Sequence, residues 1–362
     1  MSVRTPLAVA FAGSVTADDG GMLVAGSYGD VEREYLALRR EVGVVDRSHH
    51  GVVRVDGPEA VKFLHALVSS DIASLRPGQG QRSMLLQPQG KLQVDLRLLR
   101  LAGTDGDGGP VDVVLAETEP GLAEQLVTSL NRLRIRIKAE VHDLSGEWGS
   151  IGVRGPDAAT ALGALGVAVP EEQHGHVAWD DVLVVRADWP GVPGFDVLGP
   201  VDAVASVWER LVAGGAARAG LWAAEAVRIE AGVARQGRDI DTSTIPQEAF
   251  REVDAVSFTK GCFLGQELVC RIDTRGHVNR YLRGVVVRDS VVPPVGAEVI
   301  VPDGSGGEKV VGALTSVAES LDRHAPVALA MVRREVEPPV DVTLRWPGGQ
   351  ASARVEELPL LP

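Results

Sequence analysis

The chain has only two cysteines among its 362 residues, Cys262 and Cys270. Two thiols eight positions apart build no disulfide framework, which points to a reducing compartment. Basic residues are also in deficit: 36 Lys and Arg face 49 Asp and Glu, for a net charge of −13. Phosphate affinity comes mainly from clustered Lys and Arg, so the balance argues against a general nucleic-acid or anionic-membrane binder and leaves room only for local basic pockets. No run approaches the roughly 20 apolar residues of a spanning helix, and PLAVAFAG near the N-terminus is too short. A cytoplasmic protein without membrane partners is expected. There is no GxGxxG and no P-loop, hence no nucleotide motif. His49, His50 and the HGH at His174–His176 lack companion cysteines and an H-E-x-x-H pattern, so they read as surface histidines and no metal site is expected.

What is present is ordinary for a globular chain: 45% apolar and 23% charged residues, with length for two or three domains. Residues 1–29 read as a flexible lead-in. Val31–Ser48 carries a helical pattern that ends near Gly43, and Gly51–Gly57 alternates like a strand. A helix follows with Pro58 in its first turn. Ser83–Leu101 reads as two strands around a Pro88–Gly90 turn, Gly103–Pro110 as a surface loop, and Gly121–Ile135 as a helix. Then the beginning recurs. VRGPDA, from Val153, echoes VDGPEA, from Val55, with the equivalent glycines 98 positions apart. The echo suggests two related α+β halves across residues 30–283, each a small sheet with helices on one face. From 284 to 362, short β-like runs divided by Pro and Gly suggest a separate β-barrel.

The most concentrated stretch is KGCFLGQE, Lys260–Glu267. Gly261 and Gly265 permit close backbone approaches. Lys260, two residues before Cys262, would favour its thiolate. Gln266 and Glu267 add an amide and a carboxylate where a helix could begin. These residues resemble the K-G-C-[FY]-x-G-Q-E signature of the YgfZ-type folate-binding proteins, relatives of the glycine-cleavage T-protein associated with iron–sulfur cluster assembly and repair. Further segments resemble T-proteins: Arg228–Glu248 an R-x-E-A-G…G-x-D-I…P segment, Gly194–Asp196 a pterin-binding G-[FY]-E, and Gly90–Asp95 a G-G-x-x-D-D whose second acid is catalytic. The first acid of that pair is Val94 here, the glutamate of the T-G-E turn is Val192, and Val253 stands near the position of a T-protein tryptophan.

The resemblance implies an α+β cloverleaf: two related ferredoxin-like domains and a C-terminal β-barrel around a central folate channel. It implies tetrahydrofolate, or a one-carbon derivative, as cofactor. Asp196 would accept from the pterin N–H and amino groups, and Arg228 could offer its fork to a folate carboxylate or to Glu230. Trp189 could cover a ring or simply anchor a turn. Asp95 would serve as general acid/base, and Lys260, Gly261, Gly265, Gln266 and Glu267 would frame the cofactor beside Cys262. Two cysteines cannot hold an ordinary cluster alone. Cys262 is left as a transient cluster ligand, a ligand shared across a complex, or a thiol acting on the one-carbon unit. The expected function is support of iron–sulfur client or assembly proteins, more as an accessory factor than a classical enzyme. The alternative is a T-protein-type aminomethyltransferase or demethylase using Asp95.

Overall fold

The computed structural model describes residues 3–104, 109–303 and 306–361; the middle of the expected Gly103–Pro110 loop, residues 105–108, lies outside them. One antiparallel sheet runs in the order Gly80–Leu86, Leu92–Thr104, Pro110–Thr118, Gly51–Asp56, Glu140–Asp143. Its apolar face receives the helices Ala60–Leu67 and Ala123–Leu133, with Val94, Leu96 and Leu98 in the shared core. A second sheet runs His176–Trp179, Val182–Arg186, Gly194–Pro200, Trp148–Arg154, Gly43–Asp46, Ala217–Arg218. The helices Ala158–Ala164 and Val201–Ala213 cover it. The opposite faces of the two sheets meet through Val52, Leu99 and Leu115 against Val185 and Leu198.

The repeated Gly-Pro turn has a steric basis. Gly57 and Gly155 sit at φ +126° and +114°, and a Cβ would lie 2.7 Å from the Lys138 carbonyl oxygen in one case and 2.3 Å from that of Glu41 in the other. Only glycine enters that backbone region freely.

The expected helix over Val31–Ser48 stops at Arg40, and Gly43–Asp46 is instead a strand inside the second sheet. Gly51–Asp56 belongs to the first sheet, so residues 47–50 cross from one half to the other. The last six strands, Arg280–Val287 to Gly349–Glu356, close into a barrel around Val285, Leu314 and Leu344. Its first strand begins ahead of the expected boundary at Arg283.

The first 29 residues differ from a loose lead-in. Leu7 and Ala10 are fully buried against the second core. Val15–Asp19 and Met22–Ser27 form a hairpin in which Asp19 pairs with Met22. Its two-residue turn places Gly20 at φ +64° and Gly21 at +85°, the positive pair that a type I′ turn demands. The hairpin delivers Asp19, 1% exposed, to the interior.

Candidate functional site

A cavity of about 730 Å³ lies where the two halves, the N-terminal hairpin and the helix Leu221–Glu230 converge. Volumes of this order suit a drug-sized ligand. Its wall mixes apolar groups such as Leu38, Val45 and Val227 with many charges, Asp95 and Asp196 among them.

Asp95 owes its direction to strand alternation: Val94 and Leu96 enter the helix-covered core, so Asp95 and Arg97 point the other way. The Asp95 N–H donates to Gln236 Oε1 at 2.7 Å, and Gln236 Nε2 donates to the Gln93 carbonyl at 2.9 Å. Gln236 thus holds the strand at Gln93 and at Asp95. Arg82 and Arg251 each bring an Nη2 to 3.2 Å from Asp95 Oδ2. Oδ1 is buried and has no hydrogen-bond partner among the described residues. Buried polar atoms are rarely left in that state.

Asp196, on the strand Gly194–Pro200, is clasped by arginines from both halves. Arg154 donates to Oδ1, Arg97 Nη2 lies 2.7 Å from Oδ2, and Arg47 Nε is 3.7 Å away. Burial alone would raise its pKa, but Arg154, Arg47 and Arg97 hold it below the usual carboxylate range. Gly194 makes room for this: a Cβ there would fall 2.6 Å from Arg154 Cδ. Arg97 also bonds Glu117 of its own sheet at 2.7 Å, so its contact with Asp196 links the first sheet to the second. Trp189 lines the same wall, with the Arg154 guanidinium 5.0 Å from its ring centre.

Arg228 also reaches the cavity wall, but its five N–H donors are all engaged. Nε and one Nη2 donor grip Glu225 at 2.8 Å, Nη1 reaches Asp239 at 2.7 Å and the Val233 carbonyl at 2.5 Å, and Nη2 reaches Ser316 Oγ at 2.8 Å. Ser316 belongs to the barrel and Glu225 to the helix, so this guanidinium ties domains together and keeps no donor for a folate carboxylate. Arg235 extends the clasp to Glu225, Glu119 and Asp19.

The histidines are not at the surface. His49 is buried, with Nε2 2.9 Å from Asp19 Oδ2, and His49, His50 and His174 all line the cavity. Burial, then Arg97 and Arg82, push His174 down to about 3. Among the described residues no group of histidine, cysteine and carboxylate side chains could hold a metal ion. Sequence reasoning missed Asp19, Gln236 and these histidines as site residues. The DDGG hairpin turn was the one local signal for Asp19; the histidines are recruited by long-range packing.

KGCFLGQE is placed elsewhere. None of its residues lines the cavity. Lys260 Nζ donates to the carbonyls of His65, Val68 and Ser70 at 2.5, 2.7 and 2.9 Å, turned into the first half and not toward the thiol. Gly265, at φ +78°, packs so closely that a Cβ would sit 2.4 Å from the Gln87 carbonyl oxygen. Gln266 Oε1 accepts from the Phe263 N–H at 3.2 Å, and Glu267 pairs on the surface with Arg271 at 2.9 Å. Gly261 and Cys262 are exposed. The motif is a clip fastening the start of the helix Gln266–Arg275 to the first half.

The cavity thus combines a volume suited to a small molecule, a wall of mixed apolar and charged groups, a carboxylate at Asp196 and, at Asp95, a carboxylate oxygen without a partner among the described residues. Comparison with known proteins gives the family. The model for the GCVT N-terminal domain matches residues 8–256. An aminomethyltransferase of Bordetella petrii is 32% identical over 99% of this chain and 96% of its own, and that of Rubrobacter xylanophilus is 31% identical over 92% and 87%. The crystal structure of glycine cleavage system aminomethyltransferase T from Bartonella henselae superposes with a TM-score of 0.88 at 25% identity, covering 100% of this chain and 98% of that one.

Proposed function

The chain belongs to the GCVT N-terminal domain family, within the T-protein superfamily of aminomethyltransferases, and from that premise we propose that it transfers a one-carbon unit between an amine donor and tetrahydrofolate held in the central cavity. The observation that carries this reading is Asp95: a carboxylate on a strand anchored by Gln236, with one oxygen engaged by arginines and the other without a partner among the described residues. Such an oxygen suits a general acid/base. Asp196 and Trp189 would orient the pterin, the carboxylate accepting its paired donors and the indole covering the ring. Arg82 and Arg97 supply positive charge close to the chemistry.

The relatives' names favour this aminomethyl-transfer reading over an iron–sulfur accessory role. The second reading retains one specific feature, the exposed thiol of Cys262. Supplying the protein in place of the aminomethyltransferase of a reconstituted glycine-cleavage system separates the two. Tetrahydrofolate-dependent turnover is expected from the wild type and from Cys262→Ser, and not from Asp95→Asn. Turnover that survives Asp95→Asn but vanishes with Cys262→Ser would reverse the assignment.

A further inference from the structure

Residues 47–50 join a strand of the second sheet to a strand of the first, and three of the four, Arg47, His49 and His50, line the cavity. His50 stands out among them. Its backbone N–H donates to the Arg47 carbonyl at 2.9 Å, which closes a tight turn. The ring is half-buried, and neither ring nitrogen has a hydrogen-bond partner among the described residues. It is nonetheless oriented. The His49 ring lies edge-on to it, centroids 4.8 Å apart and planes at 65°, and His49 is itself fixed by Asp19 at 2.9 Å. A carboxylate, a first imidazole and a second imidazole thus run from the N-terminal hairpin to the cavity, and the last is free at the ligand's side.

The geometry points to His50 as a second proton-carrying residue, taking the proton from a folate nitrogen as it bonds to the one-carbon unit and passing it to the departing amine. This rests on the one-carbon-transfer reading above. The step balances: a folate N–C bond forms, the donor's C–N bond breaks, one N–H is lost from the folate nitrogen, and one N–H is gained by the amine. No oxidant or reductant is needed. A nitrogen that has just gained a bond to carbon is positively charged and a strong acid, so a weak base suffices to accept its proton. The leaving amine is the stronger base and takes it away.

The surroundings suit this part. Burial, followed by Arg47, His49, Arg235 and Arg97, holds the His50 imidazolium well below the ordinary histidine range. The ring therefore stays neutral at physiological pH and keeps a lone pair available. Asp95, on the strand Leu92–Thr104, remains the group for the second proton movement that aminomethyl transfer entails.

The test uses the full-length protein in the reconstituted glycine-cleavage assay, with calorimetric titration of tetrahydrofolate beside it. His50→Ala is expected to lower turnover about 100-fold, in the range that general acid–base groups supply, while tetrahydrofolate affinity stays within about threefold. Added imidazole should restore turnover several-fold in His50→Ala and leave the wild type and Asp95→Asn unchanged. Should the alanine variant fail to fold, His50→Gln keeps polar bulk but cannot carry a proton and must show the same loss. Turnover within about twofold of wild type in either variant, or a loss that imidazole does not relieve in a variant that still binds tetrahydrofolate, overturns the assignment. Absence of tetrahydrofolate binding, or of turnover, by the wild type would instead remove the transfer reading on which it rests.

Discussion

Two buried polar regions, around Arg228 and around Asp95, have nearly the same residue types and opposite bonding. At Arg228 every donor has an acceptor, and the acceptors come from a helix, a loop and the barrel. Among the described residues, one carboxylate oxygen of Asp95 has no hydrogen-bond partner, and the His50 ring on the same cavity wall has none either. A saturated network of charges fixes one arrangement of the chain. An unsaturated one on a cavity wall leaves donors or acceptors that a ligand can complete. KGCFLGQE falls in the first class: Lys260 meets three carbonyls and Gly265 fills a space that no Cβ could share. Its contacts fasten a helix start to the first half, and its thiol, Cys262, stays exposed.

The contrast can be broken at its strongest point first. Arg228→Met removes the shared guanidinium from buried Glu225 and Asp239, and chemical denaturation should show a loss of about 3–5 kcal/mol. Asp95→Asn keeps the side-chain shape and should cost less stability than Arg228→Met, while turnover falls about 100-fold or more, measured in the reconstituted assay. A comparable loss of stability in both variants would erase the distinction between the regions. Lys260→Met leaves three carbonyls without their donor and should cost about 1–3 kcal/mol, with turnover per folded molecule unchanged.

The smallest effect is a pH signature. Glu225 would be raised by burial, yet Arg228 and Arg235 bring it down to about 2. Its folded pKa lies below the unfolded value near 4.5, so its stabilisation is complete above that pH and is lost as pH falls toward 2. His174 is depressed to about 3 by burial and by Arg97 and Arg82. The unfolded chain binds that proton from pH 6.5 downward, so stability falls with acid between 6.5 and 3. Removing the side chain with His174→Gln should flatten that first segment of the stability–pH curve by up to one proton and leave the lower segment sloping.

The two halves and the barrel were legible because strand alternation and Gly-Pro turns are local signals. Asp95 and Asp196 were legible through their motif positions, and the structure brings both to one cavity. Arg228 was legible as a buried ion pair or a ligand fork, and only its distant partners, Asp239 and Ser316, decide between them. Asp19 was hidden in a polar run that looks like a tail; its partners His49, Arg235 and Arg238 are brought to it by folding. The histidines misled for a related reason. Nothing in HGH or HH announces burial, which is imposed by residues far away in the chain.

The central claim is that the unsaturated cavity, and not the cysteine motif, receives the folate. Hydrogen–deuterium exchange with and without tetrahydrofolate tests it directly. Slowed exchange is predicted at the cavity-lining loops, residues 47–50, 173–175 and 188–192, with residues 258–267 unchanged. Protection confined to 258–267, with the cavity loops unaffected, would contradict the account.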